Sequence, residues 1–198
     1  MFYMGLDLGK LRDFTALALI ERVEGGDRIC QVRYLERAPL GTPYTRVVER
    51  VAELTRHRAL QGQCYLTVDA TGVGLPVVEQ LRAAKMGALR GITAVTITGG
   101  ERARQQSKAG GPGECWTVPR ADLLGGMQVL LEKGELKIAK GLREAGALVR
   151  ELVGMRTGLV GTSSSSEHDD LALAFALACW QAGRGSKQAG MVGAGRLF

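Results

Sequence analysis

The segment from Cys64 to Asp69 limits the possible folds of this chain more than any other part of the sequence. It reads CYLTVD, a short β-prone and largely apolar run between two stretches of helical periodicity, and the glycine-containing turn 70–74 follows it. Strands that are apolar on both faces belong to sheets that are covered on both sides, where they pair in parallel. Because the surrounding pattern is strand, helix, strand, helix, strand, the sequence predicts an α/β fold with parallel pairing.

The remaining elements are predicted from the same periodicities. Three consecutive antiparallel strands are expected at 3–8, 14–22 and 29–35, parallel strands at 64–69 and 92–98, and a brief strand at 136–138. Helices are expected at 44–60, from 76, from 119, at 142–153 and at 169–182. We therefore predict a mixed five-stranded sheet, with an antiparallel three-strand edge and then parallel strands, and with helices on both faces.

Length and composition favour one soluble domain. The chain has 198 residues, of which 45% are hydrophobic, and this suits a single packed core. We predict one domain over 1–182 and a flexible, basic, glycine-rich tail over 183–198. The longest apolar run, 171–180, is about half as long as a membrane-spanning helix, and the N-terminus lacks the basic segment of a signal peptide. The four cysteines are scattered, so we expect reduced thiols and a cytoplasmic protein.

The charge distribution favours a polyanionic partner. Lys and Arg total 26 against 20 Asp and Glu, which gives a net charge of +6. The segment 82–108 holds six basic residues and a single acid. Part of it belongs to the glycine-rich stretch 99–113, which we predict to be a mobile loop. Its basic side chains are candidates for contacts with phosphates.

Three acidic positions fall where this architecture would bring them together. Asp7 interrupts the apolar first strand, Asp69 ends the strand before the glycine turn, and Asp169 and Asp170 precede an otherwise apolar helix. Asp69 could simply begin an Asx-turn, and either member of the pair could cap the helix. Asp7 has no such interpretation, because Asp is disfavoured within strands and is rarely buried without a partner or a metal.

The chemistry of these side chains predicts a hard divalent cation. Carboxylates without a histidine or cysteine cluster suit Mg²⁺ or Mn²⁺ rather than zinc. Two such ions about 4 Å apart can orient a water and stabilise the leaving oxygen in phosphodiester hydrolysis. His168 beside the acidic pair could move a proton or contact a phosphate, although a histidine at a helix entry is more often structural.

Four motifs, taken in order, resemble the nuclease domain of the large terminase subunit of tailed bacteriophages. They are GLDLG at 5–9 with DFTAL at 13–17, VDATGVG at 68–74, VPRADL at 118–123 and HDDLALA at 168–174. The resemblance extends over about residues 3–182. It implies an RNase H-like fold and a two-metal endonuclease that cuts concatemeric viral DNA during genome packaging, in the cytoplasm of a bacterial host.

The resemblance also implies roles for individual residues. Asp7 matches the first-strand ligand that bridges both metals, and Asp69 matches the acid of the fourth strand. Asp169 or Asp170 matches the helix-borne ligand, so all four acids are candidate catalytic and metal-binding residues for two Mg²⁺ or Mn²⁺ ions. Asp13 matches a second acid after the first strand and is expected to be accessory. The candidate DNA contacts are Arg102, Arg104, Lys108 and His168.

The partners implied are double-stranded DNA, a terminase ATPase domain, a small terminase subunit and a portal. The chain contains no G-x-x-x-x-G-K-[ST] motif, so we expect ATP-driven translocation to need another chain. Three alternatives stay open from the sequence. They are a Holliday-junction resolvase of the RuvC kind, which would need a dimer, an ATPase of the actin–sugar-kinase type, and a non-catalytic DNA-binding or assembly module of a packaging motor.

Overall fold

The computed structural model describes residues 1–9, 13–23, 29–72, 74–106, 114–156 and 168–193, with the side chains of the last helix described as far as Arg184. These residues form one mixed eight-stranded sheet. Its strands are β1 (Phe2–Asp7), β2 (Ala16–Arg22), β3 (Cys30–Arg37), β4 (Cys64–Asp69), β5 (Gly91–Thr98), β6 (Arg104–Gln105), β7 (Glu114–Pro119) and β8 (Leu136–Ile138). The helices are α1 (Tyr44–Thr55), α2 (Gly74–Ala83), α3 (Arg120–Glu132), α4 (Ala145–Arg156) and α5 (Asp170–Gly193).

The strand order places β1 and β4 side by side at the centre of the sheet. The order is β6-β7-β5-β4-β1-β2-β3-β8. The strands β1, β2 and β3 pair antiparallel, whereas β4 pairs in parallel with both β1 and β5, and β5 with β7. The parallel pairing predicted from the apolar segment 64–69 is therefore confirmed. As a result β1, β4, β5 and β7 all end at the same edge of the sheet.

The alternation along β1 builds two cores, one on each face of the sheet. Tyr3 faces the core that contains residues of α3, α4 and α5, and its neighbour Met4 faces the core that contains residues of α1 and α2. Both side chains are buried. Helices therefore cover both faces, as predicted, and most of β1 is buried between the two cores.

Gly5 allows α5 to approach β1 to within backbone contact. A Cβ atom at this position would overlap the carbonyl oxygen of Ala174 and would lie 2.9 Å from the backbone nitrogen of Ala178. Real Cβ atoms do not come this close to backbone, so only glycine fits. Asp7 lies two residues beyond Gly5 on β1, and Asp170 lies one helical turn before Ala174 on α5. Both acids consequently reach the same end of the sheet.

The sheet contains strands that the sequence pattern did not predict. The strand β7 follows the predicted basic loop directly, and β6 lies inside the predicted loop 99–113 and pairs antiparallel with β7. Both depend on tertiary pairing, since β7 is held by β5, about twenty residues earlier in the chain. The sheet therefore has eight strands rather than five. The strand β8 pairs in parallel with β3, at the outer side of the antiparallel group.

Helix ends also differ from the predicted ones. The helix expected at 44–60 ends at Thr55, and a single 3-10 turn follows at 58–60. The last helix continues to Gly193 instead of ending at 182. Arg184 explains part of this extension, because its guanidinium packs on the rings of Trp116 and Trp180 with centroid distances of 4.0 and 4.7 Å. In the parts of the chain that the structure describes, no helix has the length and apolarity needed to cross a membrane.

Candidate metal centre

Asp7 and Asp69 lie side by side at the carboxyl ends of two central parallel strands. The register pairs Leu6 of β1 with Val68 of β4, so the next residue of each strand is an aspartate. Asp7 is only 6% exposed. Burial raises the pKa of Asp7 well above its usual value, and the nearby carboxylates of Asp69, Asp170 and Asp169 raise this pKa further. A side-chain hydrogen bond between Asp7 and Asp69 raises the pKa of Asp7 as well.

Thr71 fixes the carboxylate of Asp69. Its backbone N–H and its hydroxyl both donate to Oδ1 of Asp69, at 2.8 and 2.5 Å. The same hydroxyl oxygen accepts a hydrogen bond from the backbone N–H of Ile97 at 2.9 Å, which connects the turn to β5. Asp69 therefore begins an Asx-turn, which is the structural role that the sequence allowed for it. The turn and the position at the strand end together aim this carboxylate at Asp7.

The structure separates the neighbouring acids Asp169 and Asp170. Asp169 precedes α5, and its carbonyl oxygen accepts the first helical hydrogen bond, from the N–H of Leu173 at 2.9 Å. Its carboxylate pairs with the guanidinium of Arg120, the first residue of α3. A basic partner therefore compensates the charge of Asp169.

Asp170 has no comparable partner. It is 5% exposed, and within the described residues its buried Oδ2 atom has no hydrogen-bond partner. Nδ1 of His168 lies 3.7 Å from this oxygen. Burial raises the pKa of Asp170 to about 6, although His168 and Arg37 oppose the shift. A buried carboxylate oxygen without a donor is an unfavourable arrangement that a bound cation would relieve.

The other predicted site residues surround this edge or lie apart from it. Asp13 is exposed, and its charge contributes to the raised pKa of Asp170. The imidazole of His168 makes an edge contact with the ring of Phe14, at a centroid distance of 4.8 Å. Arg102 and Arg104 are exposed at the β6 end of the sheet. Lys108 lies outside the described residues.

Four residues of the site were not singled out by the sequence reasoning. Thr71 and Arg120 lie within motifs that carry the family resemblance, so the motifs themselves were the available signal. Glu151 on α4 and Arg37 at the end of β3 lie in ordinary amphipathic elements, and nothing in their local sequence distinguishes them. Arg37 pairs with Glu151 and also interacts with the charge of Asp170.

The acids are gathered at one edge but are not closed into a ligand cluster. Within the described ranges, no three His, Cys, Asp or Glu side chains lie close enough together to hold a metal ion. The donor chemistry nevertheless suits Mg²⁺ or Mn²⁺, since these acids supply hard oxygen ligands and, among the described residues, Asp170 Oδ2 has no hydrogen-bond donor. A cation bound among these carboxylates would offset their mutual repulsion.

Three solved structures of viral nuclease domains are similar in fold to this chain. The large terminase nuclease from the thermophilic phage G20c matches with a TM-score of 0.59 and 19% sequence identity, over 91% of this chain and 82% of that chain. The human cytomegalovirus terminase nuclease domain matches with a TM-score of 0.56 and 15% identity, over 90% and 82%. A Mn-soaked structure of that cytomegalovirus domain matches with a TM-score of 0.53 and 14% identity, over 90% and 81%.

These comparisons establish the fold. The chain has the RNase H-like fold of the terminase nuclease domains, as the resemblance of its motifs implied. No known protein-family model matches the chain, and curated protein sequences give no significant match. Fold and site geometry therefore carry the functional argument.

Proposed function

We propose that this protein is a metal-dependent DNA endonuclease of the terminase type, which hydrolyses phosphodiester bonds. One observation carries the proposal: the buried Oδ2 of Asp170 has no hydrogen-bond partner among the described residues, and its side chain lies at the edge where Asp7 and Asp69 meet. A carboxylate arrangement of this kind is costly to the fold and is expected where a cation acts. The fold shared with terminase nucleases supports the same chemistry.

Asp7, Asp69 and Asp170 would hold two Mg²⁺ or Mn²⁺ ions. When bound, these ions would supply a metal-activated water and stabilise the leaving oxygen. Bound cations would offset the neighbouring negative charges that contribute to the raised pKa of Asp7, so Asp7 would serve as a carboxylate ligand. Thr71 holds Asp69 in one orientation throughout. We assign Asp169 a different task, which is to hold Arg120 at the rim of the site.

The basic residues would bind the DNA backbone. The Arg120 guanidinium lies beside the acidic edge and is partly exposed, so it can contact a phosphate there. Arg102 and Arg104 are exposed at the β6 side, and they would hold DNA with little sequence preference, together with Lys108. His168 would contact the phosphate or move a proton from its position next to Asp170.

The wider role follows from the same resemblance. The substrate would be concatemeric viral DNA in the cytoplasm of a bacterial host, cut during packaging. A terminase ATPase domain, a small terminase subunit and a portal would be the partners.

A plasmid assay tests the chemistry directly. Supercoiled DNA is incubated with the full chain in Mn²⁺, in Mg²⁺ or in EDTA, beside the Asp7→Asn and Asp69→Asn variants. We expect nicking and linear product only with metal, and a loss of both in the two variants. Glu79→Gln is the matched control, because Glu79 is an exposed acid on α2 whose loss should leave cutting unchanged.

The open arrangement of the acids favours one second candidate. A nuclease fold whose described residues do not form a closed ligand cluster could serve as a DNA-binding module in a packaging motor. In that case the folded protein would retard DNA in gel-shift experiments, and millimolar Mn²⁺ would produce no cutting. Metal-dependent cleavage that Asp7→Asn abolishes would rule this candidate out.

A further inference from the structure

A buried ion pair lies behind the acidic edge and contacts the start of α5. Glu151 on α4 is 7% exposed, and its Oε1 atom pairs with the guanidinium of Arg37 at the end of β3. Its other oxygen, Oε2, accepts a hydrogen bond from the backbone N–H of Ala172 at 2.8 Å. This N–H belongs to the first turn of α5, where backbone donors have no partner within the helix. Glu151 therefore caps α5 from a neighbouring helix.

A second set of contacts connects the same ion pair to Asp170 through two aromatic rings. The Cζ atom of Arg37 lies 5.1 Å from the centroid of the Phe14 ring. The Phe14 ring makes its edge contact with His168, and Nδ1 of His168 lies 3.7 Å from Oδ2 of Asp170. Glu151 thus holds the first turn of α5 through its backbone. The rings of His168 and Phe14 connect Asp170, at the start of this turn, to Arg37.

Stability alone is a poor explanation for this pair. Burial raises the pKa of Glu151 to about 7, even though the Ala172 N–H and Arg37 oppose the shift. The charges of Asp170 and Asp169 raise this pKa as well. Well-packed apolar side chains of similar volume can often replace a buried ion pair at no loss of stability. What an apolar pair would remove is the acceptor for the Ala172 N–H and the charges near Asp170.

We propose that Arg37 and Glu151 are positioning residues for the metal centre. Through the Ala172 N–H they fix the first turn of α5, and this sets the carboxylate of Asp170 in place against Asp7. The inference rests on the proposed metal-dependent function and deepens it. Residues that orient a metal ligand from behind contribute about 10- to 100-fold to metal affinity.

Two double variants of the full chain separate positioning from packing. Arg37→Met with Glu151→Leu removes both charges and the acceptor, whereas Arg37→Met with Glu151→Gln restores an acceptor for the Ala172 N–H. Both avoid leaving one buried charge alone, so urea unfolding should show both folded. Calorimetric titration with Mn²⁺ should show about 10- to 100-fold weaker binding for the Leu variant and a recovery to within about threefold of wild type for the Gln variant.

A matched control and a metal-free measurement complete the experiment. Arg33 and Glu21 form an ion pair at 2.6 Å between β2 and β3, and Arg33→Gln with Glu21→Gln should leave Mn²⁺ binding unchanged. Hydrogen exchange of the Ala172 amide reports the cap without metal. We expect this amide to exchange slowly in the wild type and in the Gln variant, and faster in the Leu variant.

The two proposals fail in different ways. If the wild type cuts DNA with Mn²⁺ and the Leu variant binds Mn²⁺ equally well, the positioning role is overturned and the nuclease stands. If the wild type neither binds Mn²⁺ nor cuts, while Ala172 protection still depends on Glu151, the metal-dependent function is overturned and only the capping of α5 stands.

Discussion

The guanidinium of Arg120, the first residue of α3, pairs with the carboxylate of Asp169, the residue that precedes α5. This ion pair joins two helices that are far apart in the sequence, at the edge where the central parallel strands end. The next acid, Asp170, lies 3.7 Å from Nδ1 of His168, and among the described residues its Oδ2 atom accepts no hydrogen bond. Two adjacent residues of the same type therefore stand in different electrostatic situations.

The first prediction follows from this difference. Asp170→Asn should lower Mn²⁺ affinity and plasmid cutting by more than about 100-fold, because it removes a ligand. Asp169→Asn should leave Mn²⁺ affinity within about threefold of wild type and weaken DNA binding instead, since it releases Arg120. Calorimetry with Mn²⁺ and fluorescence anisotropy with labelled DNA measure the two effects separately. Equal losses of Mn²⁺ affinity in both variants would contradict the assignment.

A second prediction concerns pH and stability. The folded-state pKa values of Glu151 and Asp170, about 7 and about 6, lie above their usual values, so the folded protein binds more protons than the unfolded chain between about pH 4 and 7. Their contribution to stability is full at the acidic end of this range and is lost as the pH rises through 7. Urea midpoints in EDTA should therefore be higher at pH 5.5 than at pH 8.

Metal should reverse this trend. Mn²⁺ binds deprotonated carboxylates, so it should raise the urea midpoint at pH 8 far more than at pH 5.5. The Asp170→Asn variant serves as the comparison, because it lacks one of the groups whose burial causes the effect. A midpoint in EDTA that increases steadily from pH 5.5 to 8 would show that these carboxyl groups are not held in the environment described.

A third prediction isolates the hydroxyl of Thr71. Thr71→Val has nearly the same shape but loses the hydrogen bond to Asp69 and leaves the Ile97 N–H without its acceptor. We expect a loss of about 10- to 100-fold in Mn²⁺ affinity. Thr71→Ser keeps the hydroxyl and should behave like wild type within about threefold. If Thr71→Ser loses as much affinity as Thr71→Val, the methyl group rather than the hydrogen bond is what matters.

A fourth prediction tests the basic surface at β6. Replacing Arg102 and Arg104 with Gln should weaken binding to DNA of any sequence and reduce the slope of log affinity against log salt by about 2. Anisotropy titrations over a series of salt concentrations give this slope. Lys137→Gln, on the edge strand β8 at the opposite side of the sheet, is the matched control and should leave it unchanged. A slope that falls equally in the control would show that contacts with DNA are spread over the whole surface.

The sequence could predict those parts of the fold that depend on local pattern. The apolar run ending at Asp69 and the isolated acid Asp7 are both local signals, and together they placed two carboxylates at adjacent strand ends. The strand β7 could not be predicted from local pattern, because it depends on tertiary pairing with β5. The distinction between Asp169 and Asp170 was out of reach for the same reason, since Arg120 lies 49 residues away. The ion pair of Glu151 and Arg37 likewise could not be predicted, because it forms only when α4 packs against the end of β3.

The contact at Gly5 has a consequence for how constant the site geometry can be. Where a helix rests on side chains, rotamer changes let it shift by fractions of an ångström, but here backbone packs on backbone and no rotamer change is available. The contact therefore limits how closely β1 and α5 can approach each other. It lies two residues from Asp7 on β1 and one helical turn from Asp170 on α5. Gly5 is the one position in β1 without a side chain, and a methyl group there would push α5 away from β1 and carry Asp170 away from Asp7.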